Sequence, residues 1–227
     1  MTFGADIILI CPHCRNIFIR NTLGSGNSFG ARVWSDGKMI APMMPILPII
    51  AWCGECRNYF FIEDAIQVGY APQGAFLSQP FVINVWDDME EKDYEKALRD
   101  GIPTYGNKGR ERELRIRLWW ILNDPRRHVD DQKGSYEQPA FVENLQQLDS
   151  LLAKATSAEL RIMRAEVMRE LGHCDDAVDL LNKICGDIGE EEMDWLRRKA
   201  EKIKEHAVQG DIKVFELTAG TDGENNR

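Results

Sequence analysis

The chain has 227 residues, 44% of them hydrophobic and 29% charged. That is a globular composition, which excludes wholesale disorder and collagen-like repeats and leaves room for one large domain or two to three small ones. A formal net charge of −9 argues against nucleic-acid affinity spread over the whole surface. The longest apolar run, residues 40–52, is broken by Pro42, Pro45 and Pro48 and is shorter than the roughly 18 residues of a membrane span. Asp6 sits where a secretory leader would be positive, and the apolar residues 7–10 are too few for its core. The expected compartment is the cytoplasm, with thiols reduced.

Residues 7–10 lead as a short strand into Cys11-Pro12-His13-Cys14-Arg15-Asn16-Ile17-Phe18. Residues 49–52 lead in the same way into Cys53-Gly54-Glu55-Cys56-Arg57-Asn58-Tyr59-Phe60, and both stretches fit C-x-x-C-R-N-x-F. Two residues between cysteines let one tight turn aim both thiolates at a single ion, and zinc prefers four tetrahedral ligands. The doubled motif predicts a zinc ribbon, with Cys11, Cys14, Cys53 and Cys56 holding one structural Zn²⁺ per chain. Phe18 and Phe60 are expected to stack over the site. Four cysteines close the coordination shell and leave no open position for catalysis, and His13 is expected at the surface.

Between the cysteine pairs run 38 residues, Arg15 through Trp52, against roughly 15 to 20 in the common pattern. Residues 33–35, Asp36-Gly37 and residues 38–40 read as strand, two-residue turn and strand, a hairpin expected to extend the ribbon's sheet. Arg15 and Arg57 stand where many knuckles carry glycine. The left-handed residue of each knuckle is therefore assigned to Asn16 and Asn58, which tolerate it.

Cys11-Pro12-His13-Cys14 also resembles the active-site tetrapeptide of bacterial periplasmic thiol oxidases with a thioredoxin-like fold, which implies a Cys11/Cys14 redox pair. In those enzymes the motif caps a helix that lowers the first thiol's pKa. Here Ile17-Phe18-Ile19 reads as a strand, followed by the loop Gly24-Ser25-Gly26-Asn27, and the second cysteine pair has no place in a redox reading.

Residues 1–62 carry a net charge of +2, 63–107 of −6, 108–133 of +3 and 134–227 of −8. A nucleic-acid-binding ribbon, using Arg15, Arg20, Arg32 and Arg57, draws little support from so weak a basic excess. Residues 81–86 read as a strand. Asp87 or Asp88 is expected to cap a helix over 90–99 that Gly101 closes. A second helix spans 110–122, with Leu114, Leu118, Ile121 and Leu122 on one apolar face and Asn123-Asp124-Pro125 as its stop. Its outer face carries Glu111, Arg112 and Arg115 beside Trp119 and reads as solvated.

From Pro139 onward the pattern is one of helical hairpins: 141–153, 157–171 with Ser157 as cap and Gly172 as stop, 175–184 closed by Gly186, and 190–207. A short strand over 211–217 and a frayed tail over 218–227 follow. Residues 171–181 resemble the turn and second helix of the tetratricopeptide repeat, with Gly172 at the turn, Ala177 at the close approach of helices and Trp195 at the aromatic position of the next repeat. Arg164 and Ala165 depart from the usual Leu-Gly, and Cys174 from an aromatic. One repeat and a third is fewer than such units need, so the preceding helices are expected to complete the stack, with Trp119 and Trp120 buried against it.

Cys174 and Cys185 read as small buried hydrophobes. His128, His173 and His206 have no partner at metal-motif spacing, and no nucleotide loop, zinc-protease motif or nucleophile elbow occurs. The chain resembles a class of uncharacterised bacterial proteins that join an N-terminal cysteine ribbon to a helical C-terminal half. The resemblance rests on the cysteine pairs, on Asn27-Ser28-Phe29-Gly30-Ala31 leading to Trp34-Ser35-Asp36-Gly37, and on Leu118-Trp119-Trp120 with Asn123-Asp124-Pro125-Arg126. It implies a zinc-binding fold and supplies no activity to carry over.

The expected architecture is α+β: a zinc ribbon over 1–68 with a hairpin insertion, a connector with two helices over 69–137, tetratricopeptide-like hairpins over 138–217, and a disordered tail over 218–227. The expected function is that of a zinc-holding scaffold or adaptor whose helical half docks a protein partner. It is not expected to be an enzyme. A thiol–disulfide redox protein and a nucleic-acid-binding ribbon are the alternatives.

Overall fold

The computed structural model describes residues 1–71, 82–84, 86–102, 107–127, 138–187 and 194–217. It is α+β, with short strands in the N-terminal half followed by helices. Two compact units emerge: Met1–Ala31 with Met39–Tyr105, and Arg32–Lys38 with Gly106–Arg227.

The first unit begins with β1 (Thr2–Phe3), β2 (Ile7–Ile10), β3 (Ile17–Arg20) and β4 (Leu23–Ser25). β2 lies antiparallel to β3, with Ile10 opposite Ile17 at the mouth of the first knuckle. β1 pairs with β4. Further along the chain come β6 (Met39–Ile40), β7 (Ile50–Trp52), β8 (Tyr59–Phe61), β9 (Ile66–Tyr70) and β10 (Val82–Ile83), with β5 (Arg32–Trp34) set apart in the second unit. β7 and β8 form the second knuckle's hairpin. β9 flanks β2 on one side, and β10 runs parallel to β3 on the other.

The strands bury a small core of Leu9, Phe18, Ala51, Phe60, Ile62 and Ile83 around Cys11 and Cys53. Helix α1 (Glu91–Arg99) also belongs to this unit. Its start is Glu90, not Asp87 or Asp88: the Glu90 N–H donates to Asp93 Oδ2 at 2.8 Å. Asp87 instead accepts from the Tyr94 hydroxyl at 2.5 Å. Of the strand expected over 81–86, the structure has Val82–Ile83; Phe81 and Val85 lie outside the described residues.

The second unit is built on α2 (Lys108–Asn123), a 3-10 turn Asp124–Arg126, α3 (Pro139–Leu152), α4 (Ala158–Glu170), α5 (Cys174–Asp187) and α6 (Asp194–Val208). Consecutive helices from α2 to α6 pack on one another. Ser157 caps α4 by accepting from the Leu160 N–H. Gly172, at φ +82°, makes the turn into α5, a conformation glycine adopts without a Cβ penalty. Helix α5 runs through Gly186 instead of stopping there: a glycine ends a helix only where the backbone turns left-handed, and Gly186 does not.

The core of α4, α5 and α6 contains Ile162, Ala165, Ala177, Leu181, Ile184, Leu196, Ala200 and Ile203, with Cys174 and Cys185 half-buried against it. The expected frayed tail, residues 218–227, lies outside the described residues. No helix among the described residues is long and apolar enough to cross a membrane.

The insertion does not extend the ribbon's sheet. β5 pairs antiparallel with β11 (Glu216–Leu217), placing Trp34 opposite Glu216 and Val33 opposite Leu217. The turn after β5 holds three residues, Ser35-Asp36-Gly37, instead of the two expected: the Trp34 N–H donates to the Lys38 carbonyl, and Gly37 takes the left-handed position at φ +84°. Ser35 and Asp36, both fully buried, find hydrogen-bond partners in the helical unit, Ser35 in Phe215 and Asp36 in Asn123 and Arg127.

Candidate metal centre

Each knuckle is a strand that ends on its first cysteine, a tight turn and a returning strand. In the first, the Cys11 N–H donates to the Asn16 carbonyl at 2.8 Å and the Arg15 N–H to the Cys11 carbonyl at 3.1 Å. In the second, the same bonds join Cys53 with Asn58 at 2.9 Å and Arg57 with Cys53 at 2.7 Å. The residue after the second cysteine is left-handed, Arg15 at φ +68° and Arg57 at +59°, and this bend swings the carbonyl of the following asparagine back onto the first cysteine's N–H. Asn16 and Asn58, assigned that bend from sequence, are not left-handed. Their carbonyls close the turn, and the chain is already extending toward β3 and β8.

The two knuckles bring all four cysteine sulfurs within 4.8 Å of one another. Across the pairs, Cys11 Sγ lies 3.9 Å from Cys56 Sγ, and Cys14 Sγ lies 3.6 Å from Cys53 Sγ. A tetrahedron of sulfurs at metal–sulfur distances of about 2.3 Å has edges of about 3.8 Å, so the donor set fits a four-coordinate cation. Phe18 and Phe60 meet with ring centroids 5.5 Å apart and a 60° tilt, the tilted contact aromatic pairs favour. Cys11 and Cys53 are buried, while Cys14 and His13 are exposed.

Burial pushes the Cys11 thiol up and the Cys53 thiol up to about 12. Backbone N–H groups act the other way. The His13 N–H lies 3.4 Å from Cys11 Sγ, and the Asn16 N–H holds the Cys14 thiol below its usual value. Two buried thiolates with only amide dipoles opposite are expensive unless a cation neutralises them, which is the chemistry of a metal site. Arg20, half-buried, has its charge disfavoured by that burial; Arg32 is tied to Glu216 at 2.5 Å in the other unit. The four arginines of the nucleic-acid reading thus do not share one unit.

A second polar constellation lies wholly inside the helical unit, and sequence reasoning did not find it. Asp36 is fully buried and accepts four hydrogen bonds. Its Oδ1 takes the Lys38 N–H at 3.0 Å and Arg127 Nη1 at 3.2 Å; its Oδ2 takes Arg127 Nη2 at 2.5 Å and Asn123 Nδ2 at 3.2 Å. The Asp36 carbonyl accepts from Trp120 Nε1 at 3.1 Å, and Lys38 Nζ reaches Asp124 at 2.6 Å. Arg127 also stacks on Trp34, 4.9 Å from the ring centroid.

Asn123 links this clasp to Glu170, which also accepts from Trp119 Nε1 at 2.8 Å. Beside it, Arg169 forks onto Glu166 at 2.6 and 2.8 Å. Burial works against that pair, but their mutual attraction outweighs it, lowering the Glu166 carboxyl and raising Arg169. Glu170 is pushed well above the usual carboxylate range by burial and by Glu166. Trp119, expected to be buried, is completely so. The available signal was the pair of distinctive motifs, Trp34-Ser35-Asp36-Gly37 and Trp119-Trp120 with Asn123-Asp124, which are the two halves of this network. Comparison with protein-family profiles, curated proteins and solved structures returns no match.

Proposed function

We propose that the N-terminal unit is a zinc ribbon holding one structural Zn²⁺ through Cys11, Cys14, Cys53 and Cys56, and that the protein is a cytoplasmic scaffold or adaptor whose helical half docks a protein partner. The observation that carries this is the convergence of four sulfurs from two like knuckles. An all-thiolate shell favours zinc over hard cations, and its closure favours a structural over a catalytic role. Zinc supplies the positive charge that lets the four sulfurs stay ionised. The chain's own residues supply the rest: N–H groups aimed at sulfur and an aromatic pair excluding water from one side.

The partner-docking half of the proposal rests on the helical stack. Gly172 at its turn and Ala177 buried at the helix approach support a tetratricopeptide-like hairpin, and Trp195 is half-exposed on α6. Such stacks serve chiefly as binding surfaces.

Metal analysis of the purified full-length chain is the test. One zinc per chain, with the four ribbon thiols unreactive to a thiol probe until a chelator is added, is the expected result. Cys53→Ser is expected to lose the metal and unfold the ribbon, since structural zinc contributes about 10 kcal/mol or more to such small units. A metal-free protein with a reversible Cys11–Cys14 disulfide would replace this reading with the redox one. Zinc-loaded protein whose affinity for single-stranded nucleic acid falls steeply with salt would favour the third.

A further inference from the structure

Residues Arg32–Lys38 lie between the two cysteine pairs in the chain, yet they belong to the helical unit. They are not loosely attached there. Asp36 has all its acceptor capacity used by Arg127, Asn123 and Lys38. Ser35 exchanges hydrogen bonds with Phe215, its N–H donating to the Phe215 carbonyl at 2.8 Å and its Oγ accepting from the Phe215 N–H at 3.2 Å. The insert is therefore a ligand that the helical unit receives from its own chain.

We propose that metal binding at the four cysteines and the seating of Arg32–Lys38 in the helical unit are thermodynamically coupled, so that occupancy of the metal centre is reported to the helices through the insert. The proposal rests on the metal reading above. With the ribbon folded around its ion, Ala31 and Met39 are fixed points of a structured unit, and the insert is a short excursion between anchored ends. Without the ion, so small a core is marginal and the ribbon unfolds. The insert then hangs between a free N-terminal arm and the unfolded tether 39–105. The effective concentration of a tethered ligand falls roughly as the −3/2 power of tether length or more steeply, so the clasp is held less tightly in the metal-free chain. Linkage makes the effect reciprocal: seating of the insert raises metal affinity by the factor by which the ion favours seating, so a clasp that no longer seats lowers metal affinity by at most that factor.

The test uses the full-length chain with zinc as the probe. Asp36→Asn weakens the clasp at its centre. Lys38→Met removes only the bond to Asp124, and serves if the first variant does not fold. Competition with a chromophoric chelator gives the zinc Kd, and hydrogen exchange with and without chelator reports on residues 120–123 and 215. Expected are a Kd raised about tenfold in Asp36→Asn, within the range usual for coupled sites, a smaller rise in Lys38→Met, and exchange at 120–123 and 215 speeded by chelation in the wild type. A folded variant with one zinc per chain and an unchanged Kd would overturn the coupling and leave the metal centre standing. A wild-type chain that takes no zinc would overturn both.

Discussion

The two units of this protein solve the same electrostatic problem in opposite ways. Each places ionisable side chains where water cannot reach them. The four-cysteine unit buries Cys11 and Cys53 with backbone N–H groups turned toward sulfur, whereas the helical unit buries Asp36, Glu166 and Glu170 and brings Arg127 and Arg169 to meet them. On the proposed reading, one region takes its counter-ion from solution, whereas the other carries its counter-ions in its sequence. That reading joins a metal-dependent fold and a metal-independent one in a single chain.

The comparison breaks most sharply if a helical counter-ion is removed, since that should do to the helices what loss of metal does to the ribbon. Asp36→Ala leaves the Arg127 guanidinium buried with its main partner gone. Breaking a buried pair from one side costs about 3–5 kcal/mol. Urea unfolding followed by far-ultraviolet circular dichroism should show the helical transition move to lower denaturant by that amount, with zinc present throughout. A loss under about 1 kcal/mol, the median for solvated ion pairs, would mean that water replaces Asp36, and the contrast between the units would be false.

How much of this could be read from sequence follows from the same contrast. The four-cysteine cluster is written locally and twice: Cys11 to Phe18 and Cys53 to Phe60 each specify a turn, two cysteines and a core aromatic within eight residues. The helices of the second unit are also legible, because Leu114, Leu118, Ile162 and Leu181 follow helical periodicity and Ser157 and Gly172 mark boundaries. The clasp is not. Asp36-Gly37 has the chemistry of an exposed turn, and Glu166, Arg169 and Glu170 have the spacing of a solvated helix face. Only a partner 91 residues away, Arg127, makes Asp36 a core residue. Left-handed Arg15 and Arg57 escaped for a different reason: residue propensity favoured Asn, but bringing the Asn16 and Asn58 carbonyls onto the N–H groups of Cys11 and Cys53 dictated position.

A smaller effect sharpens the comparison inside the helical unit. Glu170 has its carboxyl raised by burial and by Glu166, so the unfolded chain ionises first as pH rises, and binds fewer protons than the folded one above about pH 4.3. Its contribution to stability falls with rising pH until the folded group itself ionises. Glu166, whose carboxyl is depressed through its attraction to Arg169, and Asp211, depressed by the Lys213 N–H and by His206, have the opposite slope: what they contribute is lost as pH falls. Glu170→Gln keeps an acceptor for Trp119 and removes the titration. The variant should be more stable than the wild type at pH 8 and show no advantage at pH 4.5. A gain independent of pH would mean that Glu170 is ionised in the fold and that the helical unit has fewer paired charges than its geometry implies.

The smallest effect concerns the ribbon's backbone. Arg57 holds a left-handed conformation that costs a residue with a Cβ about 1–2 kcal/mol, while glycine there adds back roughly 0.5–1 kcal/mol through the freedom of the unfolded chain. Arg57→Gly should therefore raise the stability of the zinc-loaded ribbon by no more than about 1 kcal/mol, with the Arg15→Gly variant behaving alike because the knuckles share one geometry. Asn58→Gly, at a position that is not left-handed, should lose stability instead, since only the entropic term applies. Denaturant midpoints at saturating zinc separate the three. A gain at Asn58 and a loss at Arg57 would put the left-handed bend one residue later than the structure has it. The sulfurs would then be aimed differently, and the neutralising role assigned to the ion would need another geometry to support it.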